Sequence, residues 1–333
     1  MRTTVLFSTL LLLTVASLLF SLASGSVAVS WQELLAIFTH ADSGNGLVEQ
    51  VVMELRWPRA AAAFTTGALL ALAGGLMQVL LRNPLADPYL IGAASGAGLG
   101  AVAALSVNWP ATPFGYLTVP LAAFIGALLT VLLVYQLAKV GKTLPVTNLI
   151  LAGVAMSSFT TALTSFLMIN ASGELRRALV WLLGGSNLAG WKPVLGQLPY
   201  ATAGSGALLA MSYRLNVLQF GDEQAQQLGV DASRSRTLVV IAATLATASA
   251  VAFSGIIGFV GLIVPHIMRR AIGGDMRRLL PLSLIGGAVF LLAADILARV
   301  LMAPQELPVG IITALCGAPF FLVILRRTKK GLW

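Results

Sequence analysis

The chain has 333 residues, 58% of them hydrophobic and only 10% charged. A water-soluble domain carries about 25% charged residues, so the composition excludes that class and describes a protein dissolved in lipid, with room for about ten spans of roughly 20 residues each. The net charge of +9 is carried mainly in short loops between apolar runs, where basic residues report orientation and give no sign of nucleic acid.

In chain order, an apolar run at 5–23 follows Arg2. Ser21-Leu22-Ala23 has the look of a signal-peptidase site, but the run is long for a signal core and its charged leader is thin, so a retained helix is expected. The segment 24–55 carries Glu33, Asp42, Glu49 and Glu54 without a basic residue, and a short helix outside the membrane is expected at Trp31–Phe38. Further spans are read at 60–81, 89–107, 114–137, 146–169, 191–213, 237–257, 259–271, 279–302 and 309–325. The run at 259–271 is short and reads as a broken helix, tolerated only where protein or a water-filled cavity covers its backbone.

Between the spans, Arg82-Asn83-Pro84-Leu85-Ala86-Asp87-Pro88 reads as a tight turn, because each proline stops a helix and extends its predecessor. It leads into Gly92, Gly96 and Gly100, a stripe that lets helices approach closely. Gly141-Lys142-Thr143 imitates the end of a phosphate-binding loop, but Gln136 stands where that loop needs glycine, so no ATP site is expected. The longest stretch without an apolar run is 219–236, QFGDEQAQQLGVDASRSR. In this polar island Gly221-Asp222 precedes a two-turn helical pattern, Glu223 to Leu228, and Gly229 stands where a helix stop belongs. So short a helix is marginal alone in water, and it must rest on its own protein or on a partner.

Asp295 and Arg299, four residues apart within a span, fit either an intramembrane functional site or a helix-surface ion pair. His266 is read as a polar anchor near the interface. The lone Cys316 and the distant His40 and His266 make neither a disulfide framework nor a recognisable metal motif, and no hydrolase or protease motif is present. No cofactor is expected, and the chain reads as a non-enzyme.

With the N-terminus inside, fifteen of the 21 Lys and Arg fall on the cytoplasmic side, which places both termini and the island in the cytoplasm. A degenerate internal repeat accompanies this. Arg56-Trp57-Pro58-Arg59, Gly74-Gly75 and Leu144-Pro145-Val146 are answered in order by Arg234-Ser235-Arg236, Gly255 with Gly258, and Leu307-Pro308-Val309. The blocks begin an odd number of spans apart, so the halves face opposite ways, as in transporters with a pathway between inverted repeats. The expected architecture is an all-α integral membrane protein of about ten transmembrane helices with inverted internal repeats. It divides into 1–55, a first repeat at 56–190, a linking helix and loop at 191–236, and a second repeat at 237–333.

RWPR (56–59), GGLMQ (74–78), NPLADP (83–88), GAASGAG (92–98), LAGVA (151–155), GFVGLIVPHIMR (258–269), AADILAR (293–299) and ELPVGIITALCGAPFF (306–321), in this order, resemble the FecCD-type permease subunits of ATP-driven importers for iron-siderophores, haem and cobalamin. The resemblance runs from about residue 31 to 327. It implies a prokaryotic inner-membrane permease that pairs with a copy or close paralogue, with two ATP-binding subunits inside and a substrate-binding protein outside. It further implies that Gly221, Asp222, Glu223, Ala225, Leu228 and Gly229 form a loop coupled to the ATPase. Asn83, Leu85, Val146 and Thr147 would close the cytoplasmic gate, and Arg56, Arg59 and Arg299 would receive glutamates of the binding protein. A ferric siderophore is the favoured cargo, ahead of haem and cobalamin. The alternative, an ion-coupled secondary transporter, needs several carboxylates at mid-membrane, and a scaffold protein would leave the island and the repeat unexplained.

Overall fold

The computed structural model describes residues 2–25, 27, 29–39, 46–107, 115–141, 143–170, 175–185 and 190–330; His40 and Lys142 lie outside them. α1 (Arg2–Ala23) is followed by α2 (Trp31–Phe38), which occupies the expected residues. A capping box fixes its start: the Ser30 hydroxyl accepts from the Glu33 N–H at 3.2 Å, and the Glu33 carboxylate accepts from the Ser30 N–H at 2.8 Å.

α3 (Gly46–Gln50) runs through a π-helical turn, Val51–Arg56, into α4 (Trp57–Leu80). Pro58 has no N–H for the carbonyl one turn back, and the widened turn sends the Trp57 N–H to the Val52 carbonyl instead. A 3-10 turn at Pro88–Ile91 precedes α5 (Ala93–Leu105). The span expected to begin at residue 89 is therefore helical only from Ala93, because Gly92, at φ 83°, closes the turn in the left-handed region.

α6 (Thr118–Ala138), α7 (Val146–Asn170), the short α8 (Leu175–Leu182) and α9 (Trp191–Ala210) follow. The island brings α10 (Ser212–Leu218) and α11 (Asp222–Gln227). The chain ends with α12 (Ala232–Ser254), α13 (Val260–Ile272), α14 (Met276–Val300) and α15 (Val309–Lys330). Among the described residues seven helical stretches are long and apolar enough to cross a membrane. With the 13-residue α5 and α13 and the 20-residue α9 they make an all-α membrane fold of about ten spans.

α4 and α12 form the buried centre, with α14 against α4. The backbones touch where α4 crosses its neighbours: a Cβ on Gly67 would strike the Gly287 carbonyl of α14, and one on Gly74 would strike the Gly261 carbonyl of α13. The expected stripe on α5 works the same way, Gly96 lying against Gly126 of α6. The helix order α4–α7 is repeated as α12–α15. In each series a long central helix breaks and leads into a 13-residue helix, α5 or α13. α4 starts at the end of the bundle that holds Arg299, the last turn of α14, whereas α12 starts at the opposite end beside the island, so the two series run in opposite senses. α7 and α15, the last helix of each series, remain exposed along much of their length.

Candidate functional site

Two constructions stand at opposite ends of this bundle. At one end α1 stops at Ala23 with no basic residue in its last turn, leaving carbonyls unpaired and the negative end of its dipole uncompensated. Two arginines from elsewhere in the chain supply both needs. Arg56, at the end of the π turn, donates to the carbonyls of Leu22 (2.7 Å), Ala23 (3.0 Å) and Val27. Arg299 donates to the carbonyls of Ser21 (3.0 Å) and Ser24 (2.9 Å) and to the Ser21 hydroxyl (2.7 Å).

Asp295 completes this corner. Its side chain is 0% exposed and lies between Arg59 at 2.9 Å and Arg299 at 3.1 Å, while Arg59 also reaches Glu306. The i,i+4 pair is therefore a buried ion pair with a third member from α4. Arg56 and Arg299 are buried and engaged by their own chain, which departs from the expectation of three arginines open to a partner. Arg59, with a side chain 17% exposed, is the member nearest the surface.

At the other end α11 begins after Gly221 (φ 110°) and is closed by a Schellman motif. The Val230 N–H donates to the Ala225 carbonyl at 2.8 Å and the Gly229 N–H to the Gln226 carbonyl at 3.0 Å, with Gly229 at φ 74°. Ala225 and Val230 are buried in the main core and anchor the turn. Ala225 thus faces its own protein, not outward as expected of a partner contact. Glu223 and Leu228 are exposed, as is Phe220 just before the helix, while the Asp222 side chain lies outside the described residues.

The island is also wired inward. Asn216 of α10 donates to the Asp275 carboxylate and accepts from the Met276 N–H, both at 2.7 Å. Gln219 donates to the Gly274 carbonyl at 3.1 Å and accepts from Arg269 at 3.3 Å. These bonds tie α10 and Gln219 to the turn joining α13 to α14. Asp275 caps α14, and the Asn216 amide, ahead of the Arg277 N–H, holds its carboxyl below the usual carboxylate range.

Between these ends the two helix breaks meet. Tyr89 donates its hydroxyl to the Ile257 carbonyl at 2.9 Å and accepts from the Ile257 N–H at 3.3 Å. Phe259, at φ 69°, then starts α13 in the left-handed region. A cleft of about 470 Å³ opens here, with Tyr89, Phe259, Ser157 and Ser158 among its walls.

Of the expected gate residues, Asn83 holds its own turn by accepting from the Leu85 N–H at 2.9 Å. Val146 and Thr147 open α7, and Val146 packs on the same core as Ala86. His266 is buried with its ring edge-on to Phe320, centroids 6.2 Å apart. Tyr89, Asn216 and Gln219 were not legible as site residues: Tyr89 finds its partner 168 residues away, and the other two find theirs at least 50 residues on, among backbone groups, a helix cap and Arg269.

The FecCD transport family matches residues 12–327. A cobalamin import system permease protein, BtuC, of Halobacterium salinarum is 46% identical over 276 residues, covering 83% of this chain and 73% of the relative. The ferric dicitrate transport system permease protein FecD of Escherichia coli is 39% identical, covering 93% and 95%. A solved ABC transporter assigned to the metal-chelate type, in an inward-facing conformation, superposes with a TM-score of 0.84 at 32% identity, covering 98% of this chain and 100% of the solved one.

Proposed function

The chain belongs to the FecCD transport family, and from that premise we propose that it is the permease subunit of an ATP-binding-cassette importer that passes a metal chelate through the inner membrane into the cytoplasm. Relatives named for cobalamin and ferric dicitrate import support a chelate as cargo, and a ferric siderophore is the working candidate. ATP is hydrolysed on a separate subunit, present twice per complex. The permease pairs with a second copy or close paralogue, makes no bond itself and needs no cofactor.

The observation that carries this reading is the island. α11 is rigidly stopped, presents Glu223 and Leu228 outward, and is tied through Asn216 and Gln219 to the start of α14. In the proposed cycle the loaded binding protein docks at the arginine corner, with Arg59 the contact and Arg56 and Arg299 holding the corner behind it. The ATPase moves Gly221–Gly229, and the motion enters the 237–333 repeat through the α13–α14 turn. That repeat rocks against 56–190, while Asn83 and Leu85 with Val146 and Thr147 open and close the cytoplasmic end. Both termini lie in the cytoplasm. An ion-coupled carrier is disfavoured by the fate of Asp295, whose carboxylate is already taken by two arginines.

ATP-dependent uptake into vesicles holding the permease, its ATPase and its binding protein tests this, with a ferric siderophore, haem and cobalamin offered in parallel. Gly229→Pro removes an N–H used by the stop and forbids its φ, so loss of ATPase stimulation is expected while the complex still assembles. Transport that continues at its usual rate after α11 is disrupted would sink the coupling role.

A further inference from the structure

The cleft of about 470 Å³ beside the two helix breaks holds one carboxylate, Asp87, and no basic side chain among the described residues that line it. Packing fixes its depth. A Cβ on Gly261 would strike both the ring of Pro88, the residue after Asp87, and the carbonyl of Leu70, halfway along α4. Asp87 therefore stands far from either end of that span. An ionisable group at such a depth is costly and is kept where it faces a path or a partner.

Only one oxygen of the half-buried Asp87 is engaged: Oδ1 accepts from the Tyr89 N–H at 2.8 Å and caps the 3-10 turn. Oδ2 has no hydrogen-bond partner among the described residues and keeps open surface. The Tyr89 hydroxyl is committed to Ile257 as donor and acceptor, and the Ser158 hydroxyl gives its proton to the Val154 carbonyl at 3.1 Å. The free sites at Asp87 and Ser158 are thus acceptors, and one carries a negative charge. The first turn of α13, which has no side-chain cap, brings about half a positive charge to this wall, less than the carboxylate carries. Val154 and Ser158 lie on the same exposed face of α7 as Phe159, so the cleft opens on that face.

We propose that Asp87 sorts cargo by charge, favouring a chelate that is neutral or cationic at its periphery, with amide or amine N–H groups turned outward, over a polyanionic one. The proposal rests on the importer reading, which puts the path along this face, and narrows it: an uncharged ferric hydroxamate core is accepted and an anionic ferric catecholate or carboxylate is disfavoured. Outward N–H groups replace water at Oδ2 with a charge-assisted hydrogen bond. A polyanion meets an unneutralised like charge where the surroundings screen it poorly, and that repulsion discriminates against it.

The test uses the permease with its ATPase in lipid nanodiscs and omits the binding protein, whose own selectivity would mask the result. Ferrioxamine B, its N-acetyl derivative and its N-succinyl derivative share one iron core and are cationic, neutral and anionic in turn. Equilibrium dialysis with radioactive iron should show the first two bound about tenfold more tightly than the third. Asp87→Asn keeps an acceptor for the Tyr89 N–H and should abolish the difference. Ser158→Lys should raise the affinity for the anionic chelate in a chain that still holds Asp87. Equal affinities in the wild type overturn the proposal, as does failure to bind any of the three at millimolar concentration. A ranking that persists in Asp87→Asn also overturns it and leaves the carboxylate as the cap of its turn. ATP-driven uptake by the complete complex is scored separately: uptake without a charge ranking leaves the importer reading standing and removes this one, and a ranking without uptake does the reverse.

Discussion

At the residue scale the corner around Asp295 decides most. A buried carboxylate held by two guanidiniums tolerates removal of neither easily, because the survivor keeps its burial cost without its partner. Arg299→Met is expected to destabilise the permease by about 3–5 kcal/mol, seen as a lower midpoint in detergent thermal melts. Arg299→Lys should not rescue it, since one ammonium cannot serve the Ser21 and Ser24 carbonyls, the Ser21 hydroxyl and Asp295 together. Asp275 gives a pH-dependent counterpart. Its carboxyl is held below the usual range, so its contribution is complete above about pH 4 and is lost as pH falls through the lowered value. Asp275→Ala should therefore cost about 1 kcal/mol at neutral pH as a lost helix cap. That difference should shrink in acid, where the wild-type carboxyl is protonated as well; paired melts at neutral and strongly acidic pH check it.

At the element scale the island behaves as a lever with a stop and a linkage. Ala at position 229 must adopt a left-handed backbone at about 1–2 kcal/mol, so Gly229→Ala should raise hydrogen exchange at the Gly229 and Val230 amides. Asn216→Ala with Gln219→Ala leaves α11 intact and cuts both side-chain ties to the α13–α14 turn. Reduced ATPase stimulation with normal complex assembly is expected, and full stimulation would show that the motion travels another way. Elements such as these were largely legible in the sequence, because apolar runs, capping residues and Gly229 are local signals. The α2 start is marked by Ser30-x-x-Glu33 and the α11 stop by Gly229. What stayed hidden was destination. Ala225 reads as an exposed island residue until Val230 folds back onto it; the Asp295–Arg299 pair was legible at its i,i+4 spacing, but the main-chain carbonyls that Arg56 and Arg299 also serve carry no sequence signature.

At the scale of the whole molecule, the two related helices left uncovered are α7 and α15. Phe159 and Phe166 of α7, with Leu315 and Leu322 of α15, are exposed in the single chain. A second permease laid against this face would cover them and enclose a path. Phe159→Arg with Phe166→Arg should leave the isolated subunit folded, since neither side chain is in its core, and should convert the paired permease to monomers on native gels. The inverted arrangement was visible in the sequence only as scattered motifs in a kept order. The structure makes it plain in the equal lengths of α5 and α13 and in the opposite starting ends of α4 and α12.

The fastening of α1 bears on how the protein is made. α1 leaves the ribosome before α4 and α14, yet its far end is held by arginines that arrive 34 and 278 residues later. Until α14 has been synthesised and inserted, α1 can wait beside the growing bundle with its end half secured. α1 therefore enters the bilayer ahead of α14 but is locked only after it, and a chain truncated before Arg299 should leave α1 open to protease at Ser24.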